Sequence, residues 1–239
     1  MPMHEKALSQ LVEKLRKAYG QRLVSVVLYG SAATGDHHQR FSDLNVLCVL
    51  ADITTPDLEA AGDLFRWWRE LGNPAPLLLA EREVAASTDC FAIEFHDIQA
   101  HHRLLDGRDV IGALALDDSF YRAQVEHDLR ARLLRLRQKA AGVMHDSGLL
   151  RTLLLDSVSN FCVLFRHALA LSGAGSPARH REVIDRAREQ FGLDAAPFLS
   201  LLDVREGQAK AREVNPAALL GPYLEGITAV VEAVDRLAK

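Results

Sequence analysis

The chain has 239 residues, 49% of them apolar and 25% charged, with a formal net charge of −4. That length can bury one large core or two modest ones, and the mildly acidic balance excludes a global electrostatic reason for nucleic-acid binding. Met1-Pro2-Met3-His4-Glu5-Lys6 has no apolar segment leading to a cleavage-like site, and no uninterrupted apolar run approaches the ~20 residues of a bilayer span, so a cytoplasmic protein without a membrane anchor is expected.

Residues 4–19 place Leu8, Leu11, Val12 and Leu15 at helical spacing before Gly20, which predicts an amphipathic first helix. Leu23-Val24-Ser25-Val26-Val27-Leu28-Tyr29 is short, rich in β-branched residues and stopped by Gly30: a buried strand. Ser31 suits the N-cap of a short helix. The run from Leu44 to Leu50 is nearly all apolar and reads as a second central strand. Leu58, Ala61, Leu64, Phe65 and Trp68 predict a packed helix between Asp57 and Leu71, ended by Gly72-Asn73-Pro74, with Trp68 as core. Pro76 to Ala80 reads as a third strand, followed by a short helix from Glu81 to Ala86. From Cys90 to His96 the chain alternates, with Phe91, Ile93 and Phe95 on one side and Ala92, Glu94 and His96 on the other, which predicts another strand.

Beyond residue 116 only helical periods remain, over 117–144, 147–172, 178–191, 196–212 and 215–238, with Gly173-Ala174-Gly175-Ser176-Pro177 as a loop and Asn215-Pro216 opening the last helix. The expected architecture is therefore α+β: a mixed sheet with flanking helices over residues 1–115, then an all-helical bundle over 116–239. Cys48, Cys90 and Cys162 are odd in number and each sits in an apolar stretch, so buried free thiols are expected.

The chemistry concentrates in residues 29–50. A Gly30-Ser31 turn ends the first strand, eleven residues follow, and Asp43-Leu44-Asn45 opens the next. A glycine there lets backbone approach a ligand, and the following amides and the Ser31 hydroxyl can face phosphate oxygens. Asp43 offers an oxygen ligand to a hard cation such as Mg²⁺, and positions 43 and 45 share a strand face. Glu94 offers a further carboxylate. Asp97 competes for that role but falls on the opposite face if the strand continues.

This conjunction in residues 22–107 resembles the nucleotidyltransferase superfamily, which includes DNA polymerase beta, aminoglycoside nucleotidyltransferases and small antitoxin-type proteins. The resemblance implies that Gly30 and Ser31 contact a triphosphate, that Asp43 binds Mg²⁺, and that Glu94 is the third carboxylate, the one that activates an incoming hydroxyl. It implies transfer of a nucleoside monophosphate from Mg-NTP to a hydroxyl of a small molecule or protein. Asn45 departs from the pattern, since a second carboxylate is expected there. An amide oxygen can ligate Mg²⁺ but brings no charge and bridges two ions poorly. Because phosphoryl transfer relies on positioning and charge neutralisation, a catalytically degenerate nucleotide- or partner-binding module is the competing expectation. A third is an interaction protein that forms a homodimer through its helical half.

The remaining polar features carry less. His37, His38, His101 and His102 read as solvated loop and helix-start residues, while His96 shares the Glu94 side of its expected strand. Arg130, Arg132, Arg135, Arg137 and Lys139 form a basic helix stretch whose default is a solvated face; the alternative is that some of them hold phosphate.

Overall fold

The computed structural model describes residues 3–33 and 44–237. The chain divides into two compact units, Met1–Phe120 and Tyr121–Lys239. In the first unit the order is helix α1 (Met3–Tyr19), strand β1 (Leu23–Tyr29), a short 3₁₀ turn (Gly30–Ala33), β2 (Asn45–Leu50), α2 (Thr55–Glu70), β3 (Leu77–Ala80), α3 (Glu81–Ala86), α4 (Ala92–Ala100) and β4 (His102–Gly107). The four strands form one mixed sheet in the order β3-β2-β1-β4. β1 runs antiparallel to both β2 and β4, and β2 runs parallel to β3.

Alternation along the strands divides their side chains between two cores. Val26 and Leu28 of β1 and Val46, Cys48 and Leu50 of β2 join Leu8, Leu11 and Leu15 of α1 and Ala61, Leu64 and Trp68 of α2. Val27, Leu47 and Val49 take the opposite face with Val84 of α3, Phe95 and Ile98 of α4, and Ile111. Trp68 is fully buried, as its helical spacing predicts.

A buried charge ties α2 to the first core. Asp57 is fully buried; its Oδ2 accepts from the Thr54 N–H (2.9 Å) and hydroxyl (2.6 Å), and its Oδ1 pairs with Arg22. The Thr54 hydroxyl, the Thr54 amide and Arg22 together hold the Asp57 carboxyl below its ordinary range despite burial. At the free edge, Arg16 and Glu5 of α1 pair with Asp106 and Arg103 of β4, and the β1–β4 register shifts between Val26 and Val27. Charges and a bulge are the usual means of blunting an exposed edge.

Two expectations fail here. Residues 90–96 are not a strand: α4 covers Ala92–Ala100, burying Ala92, Phe95 and Ile98 while Phe91 stays exposed. The strand instead comes later, as β4, so His102 sits in the sheet and not on a helix. The period of two between Phe91 and Phe95 was too short a window; carried on to Ile98, the same residues show the three-residue spacing of a helix face. Cys48 and Cys162 are buried free thiols, whereas Cys90 is exposed in the turn before α4.

The second unit is helical: α5 (Tyr121–Val143), α6 (Ser147–Leu171), α7 (His180–Phe191), α8 (Ala196–Arg205) and α9 (Pro216–Arg236). Its core stacks Phe161 and Phe165 of α6 on Phe198 of α8 and Tyr223 of α9, with ring centroids 4.7–6.2 Å apart. Caps set the helix starts: Asp146 accepts from the Gly148 and Leu149 amides, and Asn215 accepts from that of Ala218. α6 and α9 have the length and the mean hydropathy (1.4) of bilayer spans. Charged residues interrupt both, and in this unit they bury Phe161, Phe165, Tyr223 and Val230 against neighbouring helices.

Candidate functional site

The candidate residues are positioned by the end of β1. Tyr29, the last strand residue, pairs with Asn45 of β2 on one side and His102 of β4 on the other. Directly opposed residues of a sheet share a face, and Tyr29 belongs to the core under α4. Asn45, Tyr29 and His102 therefore form a polar row across the sheet on the α4 side. Gly30 follows at once, with φ at +77°, a conformation that L side chains resist. A Cβ built on Gly30 would lie 3.5 Å from Asn45 Nδ2, which places this turn against the Asn45 amide.

The backbone N–H of Gly30 donates to the His101 carbonyl at 3.0 Å. That amide is committed to the sheet, so phosphate contacts from this turn would have to come from Ser31 and the residues after it. Asp43 and the side chain of Ser31 lie outside the described residues, as do His37 and His38.

Glu94 is placed on the first turn of α4, and its side chain is exposed. Burial, and after it the negative charge of Glu94, raise the Tyr29 phenol above its ordinary range, which sets Glu94 within electrostatic reach of the row. Because α4 is a helix, Glu94 and Asp97, three residues apart, lie on neighbouring positions of one helix surface and not on opposite faces of a strand. His96 is turned to another partner, with Nε2 2.7 Å from Asp118 Oδ1.

Sequence reasoning missed Tyr29 and His102. The His102 ring donates through Nδ1 to the Gln99 carbonyl (3.1 Å), and its Nε2 lies 3.5 Å from Asp109. Tyr29 had a legible signal, since it directly precedes Gly30 on a predicted strand. His102 had none, because its strand was not foreseen. The basic stretch of α5 is largely engaged within its own unit: Arg130 pairs with Glu126 and Asp235, Arg132 with Asp128, and Arg137 donates to the Thr228 hydroxyl.

Among the described residues, no group of three or more His, Cys, Asp or Glu is placed to hold a metal ion. Of the described candidate ligands, Glu94 carries a carboxylate and Asn45 a neutral amide. Carboxylate and amide oxygens are both hard donors of the kind that suits Mg²⁺, and of these two only the carboxylate brings a charge.

No family model and no curated protein matches the chain. Among solved structures, spectinomycin adenyltransferase AAD(9) from Enterococcus faecialis, crystallised with ATP and spectinomycin, aligns over 97% of this chain and 99% of its own, at 13% identity and a TM-score of 0.56. This chain has a nucleotidyltransferase-like fold. Two toxin–antitoxin structures, one with AMP-PNP and one an MntA–HpeT mutant, also match, at 21% and 17% identity. They cover 42% and 43% of this chain, 73% and 74% of their own, with TM-scores of 0.29 and 0.30. The nucleotidyltransferase-like assignment thus rests on the full-length alignment, which spans the mixed sheet and the helical unit alike.

Proposed function

We propose that this protein binds a nucleoside triphosphate with Mg²⁺ and transfers its nucleoside monophosphate to a hydroxyl group of a small molecule or protein. The observation that best supports this is the end of β1, where Gly30 abuts the Asn45 amide and the charge of Glu94 acts on the adjoining Tyr29. The fold supports it too, since the full-length neighbour is an adenyltransferase crystallised with ATP and spectinomycin.

In this reading Ser31 and the short turn that contains it hold the triphosphate. Asp43, Asn45 and Glu94 are the residues that would hold Mg²⁺, which when bound neutralises phosphate charge. The acceptor oxygen bonds to the α-phosphorus, the bond from that phosphorus to the pyrophosphate oxygen breaks, and the hydroxyl proton passes to Glu94 as general base.

One observation favours a second reading. Asn45 puts a neutral amide where charge would be most useful, which suits a module that binds a nucleotide without turning it over. Thermal-shift titration with each NTP, with and without Mg²⁺, separates the two, followed by a pyrophosphate-release assay with polyhydroxylated acceptors, spectinomycin first. Mg²⁺-dependent stabilisation and pyrophosphate release support the transferase. Stabilisation without Mg²⁺ and without release supports the binding module. No stabilisation by any NTP rejects both.

A further inference from the structure

We propose that Asn73 is a positioning residue for the strand that carries the candidate ligands, its side-chain oxygen holding the backbone at the start of β2. The inference rests on the function proposed above.

Leu44 lies between Asp43 and Asn45, one residue before β2. Its side chain is almost fully buried, and no strand ladder reaches its N–H: pairing with β1 begins at Asn45–Tyr29, and pairing with β3 begins only at Leu47–Leu77. Continued backward, the parallel register sets residue 74 beside Leu44. Pro74 and Pro76 have no N–H to give to a ladder, so β3 starts late. The N–H of Leu44 therefore needs an acceptor from outside the sheet, since buried backbone donors are almost always paired. Asn73 Oδ1 supplies it at 3.3 Å, across 29 positions of sequence.

The loop around Asn73 is restricted on both sides. Gly72, with φ at +88°, turns the chain off the end of α2, and its N–H donates to the Arg69 carbonyl at 2.9 Å. Pro74 biases Asn73 itself toward an extended backbone. A side chain held this way extends the sheet where two prolines prevent β3 from doing so. The start of β2 is thus fixed from both edges, by the Tyr29 ladder at Asn45 and by Asn73 at Leu44, and the direction in which Asn45 presents its amide depends on both.

The test is a titration of Mg²⁺ against NTP binding by the full chain, for wild type, Asn73→Ala and Asn73→Asp, with the unliganded Tm measured alongside. Asn73→Ala removes the acceptor and should raise the Mg²⁺ concentration required by roughly 10–100-fold, the usual loss when a supporting partner of a ligand is removed. Asn73→Asp keeps an oxygen that can accept from Leu44 and should stay within about threefold of wild type by the same argument. If Asn73→Ala does not fold, Asn73→Gln, whose oxygen is displaced by one methylene, is read in its place and should also require more Mg²⁺. A folded Ala or Gln variant with a lowered Tm but the wild-type Mg²⁺ requirement overturns the proposal, because Asn73 then only stabilises the fold. A wild type without Mg²⁺-dependent NTP binding overturns the reading of the site and this inference with it.

Discussion

Asn45 carries more of the functional argument than any other single residue. Its amide adjoins Gly30 and lies in the same row as Tyr29 and His102, so an introduced carboxylate would stand in the same place with a charge added. Asn45→Asp should lower the Mg²⁺ concentration needed for NTP binding and raise any pyrophosphate release, as measured by the same titration and assay; an unchanged Mg²⁺ requirement would remove this end of β1 from consideration. Gly30→Ala should destabilise the chain by about 1–2 kcal/mol in urea unfolding, because a left-handed backbone is costly for a residue with a Cβ. Space is not the reason, since the nearest atom to that Cβ would be at an ordinary 3.5 Å. Asp57 gives a pH signature. Its folded carboxyl is held below the ordinary 3.8, so its contribution is complete above that value and is lost as pH falls through the lower folded one. The urea midpoint should drop on acidification from about pH 5 to 3, and drop less in Asp57→Asn, which starts from a less stable state. A variant that loses as much as wild type would assign the acid sensitivity to other carboxylates.

At the level of elements, legibility followed the length of the pattern. α1, α2 and β1 have strong periods bounded by Gly or Pro, β2 is a nearly unbroken apolar run, and the residues of all four fall where the sequence puts them. α4 reads as a strand because six alternating residues, Phe91 to His96, outweigh a helical spacing that shows only when the window reaches Ile98. β4 is hidden for a different reason: His102-Arg103-Leu104-Leu105-Asp106-Gly107 is an edge strand with charged residues on it. Those charges pair with Arg16 and Glu5 of α1, a long-range arrangement that no local period reveals. Close approach between helices is equally invisible. Gly226 on α9 lets the Phe198 ring of α8 sit where a Cβ would be only 2.8 Å from Cε2. Gly226→Ala should therefore destabilise by about 1–3 kcal/mol through overpacking, despite the better helix propensity of alanine. A gain in thermal stability would show that α9 can shift to make room.

For the whole molecule, function and stability are linked through mass action. Trp67 and Trp68 are the only tryptophans in the chain, and both sit on α2 in the unit that carries the candidate site. A nucleotide that binds only the folded chain should stabilise it by about 2.7 kcal/mol at 100 times its Kd, and tryptophan fluorescence should report that shift in unfolding. Fluorescence unfolding that ignores Mg-NTP at saturating concentration would argue against nucleotide binding in this unit. Residue spacing alone establishes that a sheet-bearing half precedes a helical half, that a Gly-Ser turn ends the first strand, and that Asn stands two residues after Asp43. These are local facts, set by residue periodicity and by which residues break it. It takes the folded chain to show that Glu94 lies on a helix, that Tyr29 and His102 flank the turn, that the Gly30 amide is spent on His101, and that Asn73 accepts from Leu44 at the start of β2. Each of those depends on sheet register and on packing between segments far apart in the chain, and such contacts leave no trace in the spacing of neighbouring residues.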